Sequence, residues 1–268
     1  MAEPLTITAS IFSITVPALQ AIQHLLNDVQ SIKDAPETIQ DLKDHLHQVT
    51  LAVSSFQTIE AGEWESLGSN ITDGVESTIR LCTAACDRFG ADLKRWTSRS
   101  HGGDFSFLDR AKVGFVKQGQ IKSMQGQLQT CQIAINRVVS TATFFHSIRH
   151  ARMTSDIKGM ISAQQGEITS AFQTTDTQLA EVAEMIKTLN MSDIQNPEIE
   201  RARQLEEEQR ALHVSRKLLD EVLTKLQKNS MLRASAERQD HSTQVTFKGE
   251  NTGVQIGVNN GGFTFGGK

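Results

Sequence analysis

The sequence contains no tyrosine, four prolines, three cysteines and few aromatic residues of any kind. Three cysteines, an odd number in a chain of 268 residues, do not make a disulfide framework and point to a reducing compartment. So few prolines leave room for long uninterrupted helices. The charge is nearly balanced, at −4 with an isoelectric point near 6.1, which excludes a global pull toward nucleic acid or anionic lipid. No basic region precedes the first apolar stretch and no clear cleavage site follows it, so a cytoplasmic location is expected. The terminal GGK has neither the spacing nor the hydroxyl of a phosphate-binding loop.

Charge is also missing locally. From Pro4 to Asn27 there is no Asp, Glu, Lys or Arg. Leu5, Ile7, Ile11, Phe12, Ile14 and Val16 make this stretch apolar, but Ser and Thr are interspersed and Pro17 lies in its middle. A membrane span needs roughly 20 predominantly apolar residues, and this run is too polar to be an unambiguous one. Two readings stand: a helix buried in a bundle, or a segment sheltered at rest that enters a membrane after activation.

What is present is helical periodicity. Asp34, Pro36 and Glu37 have the spacing of a helix start, and Ile39, Leu42, Leu46, Val49, Val53 and Phe56 recur at threes and fours. After a break around Gly62 to Gly68, Ile71, Val75, Ile79, Cys82, Cys86, Phe89, Leu93 and Trp96 form a second stripe. A further helix is expected from about Phe107 to His150, with Ile121, Met124, Leu128, Cys131, Ile135 and Val138 inward. These amphipathic helices predict an all-α bundle over residues 1–152. Over 153–228 the apolar residues thin out, and Leu205, Leu212, Leu219, Val222 and Leu226 make the narrower seam of an elongated hairpin or coiled coil. Residues 229–242 read as a polar, mobile linker.

The C-terminal tail, 243–268, has a different period. Val245 and Phe247, then Val254, Ile256 and Val258, then Phe263 and Phe265 alternate with small or polar residues, as in short strands. Gly257, Asn259, Asn260 and Gly261 stand among the turn residues. So short a unit is marginal alone, whereas copies stacked on one another pair every backbone group. The alternatives are a disordered Gly/Asn tail or a hairpin docked on the helical body.

Candidate chemistry is sparse. Cys82 and Cys86 are four apart, a spacing that can hold a metal, but they fall in an apolar stripe and read as a buried structural pair. His146 and His150 share that spacing with no further ligand nearby in sequence. Glu206, Glu207 and Glu208 read as coiled-coil surface. Arg88, Lys94, Arg95, Arg99, Arg110, Lys112, Lys117 and Lys122 face three Asp over 88–122. They read as a belt for anionic lipid or as a surface balancing the first 60 residues, which hold seven acids and two bases. No catalytic residue, cofactor site or metal site is assigned, and an enzymatic role, for example in a secondary-metabolite cluster, would require converging polar groups that the sequence does not display.

The segments MAEPLTITASIFSI, DAPETIQDLKDHL and FFHSIRHARMTSDIKGMI, over roughly residues 1–160, resemble the fungal N-terminal domain of STAND and NACHT receptors, a HeLo-like domain. ENTGVQIGVNNGGFTFGG resembles the amyloid signalling motifs related to HET-s, of which the sigma type is one. The resemblance implies a cell-death effector of the heterokaryon-incompatibility kind. Its partners would be its own copies and a STAND or NACHT receptor bearing a similar motif, with membrane lipid after activation and no nucleic acid. It would be cytoplasmic at rest and reach the plasma membrane once activated. The alternative is a non-lytic adaptor whose tail only clusters copies. The hydroxyls, Pro17 and the insert at 153–228 depart from the pattern.

Overall fold

The computed structural model describes residues 4–32, 37–96, 118–149, 154–190 and 196–240. Among them there are seven α-helices and no strand, the all-α architecture that the periodicities predict. They are α1 (Pro4–Gln30), α2 (Glu37–Ser55), α3 (Ala61–Leu67), α4 (Ser69–Trp96), α5 (Gln118–Ile148), α6 (Ser155–Asn190) and α7 (Asn196–Asp240), with a 3-10 turn at Phe56–Thr58. Helix α1 packs on α4 and α2, α2 also lies on α5, and α7 runs against α6, α5 and α4.

The apolar stripes explain this order. Every residue of the predicted α4 stripe, Ile71 through Trp96, is buried. Ile39, Leu42, Leu46, Val49 and Val53 do the same for α2. Each large aliphatic side chain so placed contributes about 1.5–3 kcal/mol over exposure to water. Phe89 meets Trp96 edge-on at 5.5 Å, a geometry that aligns ring edge with ring face.

Three readings are corrected. The break at Gly62–Gly68 contains helix α3, whose start is fixed by the Glu60 amide donating to the Glu63 carboxylate at 2.7 Å. Trp64 of that helix is fully buried 5.4 Å from Phe56, and Gly68, at φ 91°, ends it in a left-handed conformation that favours glycine. The stretch read as a linker is helical as far as Asp240. The segment 153–228 is not a separate extension: Ile157, Ile161, Ile168, Leu218, Leu219, Val222 and Leu226 join the same core as α1, α2, α4 and α5. Only Val182, Leu205 and Leu212 form a second cluster, between α6 and α7. At Gly74 a Cβ would stand 2.9 Å from Leu218 Cδ1, so glycine is what lets α4 and α7 approach so closely.

Candidate functional site

Helix α1 buries one apolar face and exposes two large apolar side chains on its other side, which turns polar at Gln20, Gln23, His24 and Asn27. Ile11, Ile14, Ala18, Ala21, Ile22, Leu25, Leu26 and Val29 are buried in the bundle. Phe12 and Val16 are on the other side, 40% and 48% exposed. Of the expected membrane-active residues, Ile11 and Ile14 are therefore core, Phe12 and Val16 are surface, and the side chains of Leu5 and Ile7 lie outside the described residues. Two hydroxyls of the segment, those of Ser13 and Thr15, are satisfied within the helix. Thr15 donates to the Ile11 carbonyl and Ser13 to the Ser10 carbonyl, each at 2.7 Å, the back-bonding that polar side chains adopt mid-helix. Pro17 deprives the Ser13 carbonyl of its amide donor without ending the helix. The span Ala9–Gln30 is long and apolar enough to cross a membrane, and 44% of it is buried inside the bundle. The core helix of a bundle passes the same test.

A second feature was invisible in the sequence. Between α5, α6 and α7 lies a cleft of about 520 Å³, within the range of small-molecule sites. Glu208 of α7 forms part of its wall and is 5% exposed. Ser123 donates its hydroxyl to the Glu208 carboxylate, and Gln127 also hydrogen-bonds it. Among the described residues no cation pairs with Glu208. Its neighbour Glu207 differs sharply, held by Arg88 of α4 and within 4.0 Å of Arg203 and Arg210. Burial pushes the Glu208 carboxyl up to about 7; the bonds from Ser123 and Gln127 pull it partly back, and the Glu181 charge adds to the rise. The reading of Glu206–Glu208 as uniform surface is thus corrected at its third member. Next to it, Gln120 donates to Gln204 Oε1 at 2.8 Å, and Gln204 donates to Asp92 at 3.1 Å. The Gln120 side-chain oxygen Oε1 is buried without a partner among the described residues.

Cys82 and Cys86 are buried as expected, and Cys131 of α5 joins them, a contact across helices that spacing could not show. Hydrogen bonds from Cys131 and Cys86 hold the Cys82 thiol below its ordinary range, while hydrogen bonding to Cys82 and burial push the other two up. His146 Nδ1 lies 3.5 Å from Glu63; His150 is outside the described residues. Among the described residues no three His, Cys, Asp or Glu side chains are placed to hold a metal ion. Of the basic stretch, Lys94 meets Asp28 at 3.1 Å, Arg95 meets Asp92 at 3.3 Å and Arg88 meets Glu207. These contacts are those of a charge-balanced surface. Arg99, Arg110, Lys112 and Lys117 lie outside the described residues. So do all the tail positions: Val245, Phe247, Val254, Ile256, Gly257, Val258, Asn259, Asn260, Gly261, Phe263 and Phe265.

Helix α1, uncharged before Asp28, closes an all-α bundle, and the family match supports a fungal helical domain related to the HeLo-like domains. Residues 2–216 match the family model described as pigment biosynthesis cluster protein PigL N-terminal, and the chain belongs to that family. The matched region runs past residue 152 and well into α7, in agreement with the shared core rather than with a boundary at that point. No curated protein and no solved structure matches the chain.

Proposed function

We propose that the chain is a non-enzymatic effector of fungal regulated cell death, switched on when the tail is templated by a STAND or NACHT receptor and acting on the plasma membrane through α1. The observation that carries this reading is the uncharged outer side of α1. A helix that only closed a bundle would carry charged residues toward solvent, yet from Ala9 to Asn27 the outer side carries none, and Phe12 and Val16 stand exposed there beside Ser13, whose hydroxyl bonds inside the helix. Exposing the buried large side chains of α1 to water would cost on the order of 10 kcal/mol, which keeps the helix seated in an isolated molecule. Moving them into lipid exchanges one apolar surrounding for another. At 1.5 Å per residue the span is about 33 Å long, against a hydrocarbon core of about 30 Å. Clustering through the tail raises the local concentration of such helices.

A non-lytic adaptor is favoured by a different fact, the depth at which Ile22, Leu25 and Leu26 are set, at no more than 2% exposure. Dye-loaded liposomes separate the two. The full chain seeded with preformed fibrils of its own tail is expected to release dye, and the unseeded chain to leave vesicles intact. Val16→Asp, on the exposed side, is expected to change stability by no more than about 0.5 kcal/mol and to abolish seeded release. Inert vesicles with the seeded wild type would establish the adaptor instead.

A further inference from the structure

We propose that the α5–α6–α7 cleft binds an elongated amphoteric small molecule, its amine held at Glu208 and its carboxylate at Arg201. The geometry has a simple basis. Gly119 and Gly126 are two turns apart on α5, and Arg201 and Glu208 are two turns apart on α7, which sets each pair about 10.5 Å apart along its helix. A Cβ at Gly119 would lie 3.6 Å from the Arg201 guanidinium, and one at Gly126 would lie 3.8 Å from both Glu208 Oε1 and Gln178 Nε2. The helices therefore face each other glycine to charge at both ends. The absence of side chains on α5 contributes to the 520 Å³ of space. One end is basic and open, with Arg201 and Lys122 exposed; the other is acidic and enclosed, with Glu208 buried and Glu181 beside it. Val182 and Leu205, both buried, give the stretch between them an apolar wall.

Two polar groups are left wanting a ligand. Glu208 is a buried carboxyl with neutral donors and no cation among the described residues. The Gln120 side-chain oxygen Oε1, of a residue that also lines the cleft, is a buried acceptor without a donor among them. An ammonium group at the acidic end supplies donors to the Glu208 carboxylate, and its charge compensates an ionised Glu208 set deep in the wall. The carboxylate at the far end meets a guanidinium fork suited to it.

The probe is 8-aminooctanoate, whose charged ends are about 10 Å apart when extended, with octanoate and octylamine as its two halves and the full chain as receptor. Titration calorimetry is expected to show 8-aminooctanoate binding at least tenfold more tightly than either half, and binding is expected to fall at least tenfold in Glu208→Gln. Gly126→Leu supplies the control for folding. Replacing a helical glycine does not weaken the helix, so this variant is expected to keep its melting temperature while its side chain fills the cleft and removes binding. Absence of binding by the wild type at millimolar 8-aminooctanoate would overturn the assignment, as would unchanged binding in Gly126→Leu or in Glu208→Gln. Liposome leakage does not enter this test, so the cleft and the membrane reading stand or fall separately.

Discussion

A peptide of residues 242–268 is expected to form fibrils that bind thioflavin, and Ile256→Asp or Val258→Pro to abolish them. The expectation rests on the alternation of Val254, Ile256 and Val258 along the sequence. Stacked in register, copies of Ile256 lie about 4.8 Å from one another, and an aspartate there sets like charges at that spacing. At an effective dielectric of about 20, each adjacent pair costs about 3 kcal/mol, more than one side chain gains from burial. Proline acts differently: it removes the Val258 amide from the ladder in every layer. Two substitutions that fail for unrelated reasons make the strand assignment testable. Undiminished fibrils from both would refute it, since neither a stacked charge nor a missing donor is tolerated inside a cross-β core.

The second large effect concerns Glu208 and pH. Its carboxyl titrates near 7 when folded, against an ordinary value of 4.5. Below about 4.5 the group is protonated in both states and contributes nothing. Between 4.5 and 7 the unfolded chain has released a proton that the folded chain retains. Above 7 the folded chain must ionise a buried group, and the whole penalty is present. This residue therefore makes stability fall as pH rises through that window, by on the order of 3 kcal/mol. Glu208→Gln is expected to match the wild type near pH 4 and to exceed it by about 2–3 kcal/mol at pH 8 in urea denaturation. A wild type and variant that keep the same stability difference at both pH values would show that the carboxyl is not desolvated.

The legible parts of this fold are those governed by short-range repetition. The stripe from Ile71 to Trp96 could be read because its spacing of threes and fours is sustained along almost the whole of a 28-residue helix and needs no partner to be seen. Helix α3 was read as a break because its flanking glycines stand out, while its start uses Glu60 at the cap position, where Ser, Thr, Asp or Asn is the usual signal. The seam from Leu205 to Leu226 looked like one coiled-coil interface. It is divided instead: Leu205 and Leu212 pack with Val182, whereas Leu219, Val222 and Leu226 enter the main core. A periodicity reports which residues share a face, not which neighbours cover it. Glu208 illustrates the same limit. It differs from Glu206 and Glu207 by its burial and by its contacts with Ser123 and Gln127 on α5, residues far away in sequence. Cys131 could be read as inward-facing, but its meeting with Cys82 and Cys86 was hidden for that reason too. In α1 the uncharged composition was plain, but its division into a seated face and an exposed one at Phe12 and Val16 needed the bundle around it.

Amide hydrogen exchange over residues 9–30 of the full chain, before and after seeding with tail fibrils, tests most directly whether α1 leaves the bundle on assembly. In the unseeded protein these amides are expected to be as protected as those of α4. Seeding without vesicles is expected to accelerate their exchange, and adding liposomes to restore protection. If α1 stays as slowly exchanging in the seeded assembly as in the free protein, the helix never leaves its core and the membrane mechanism is wrong.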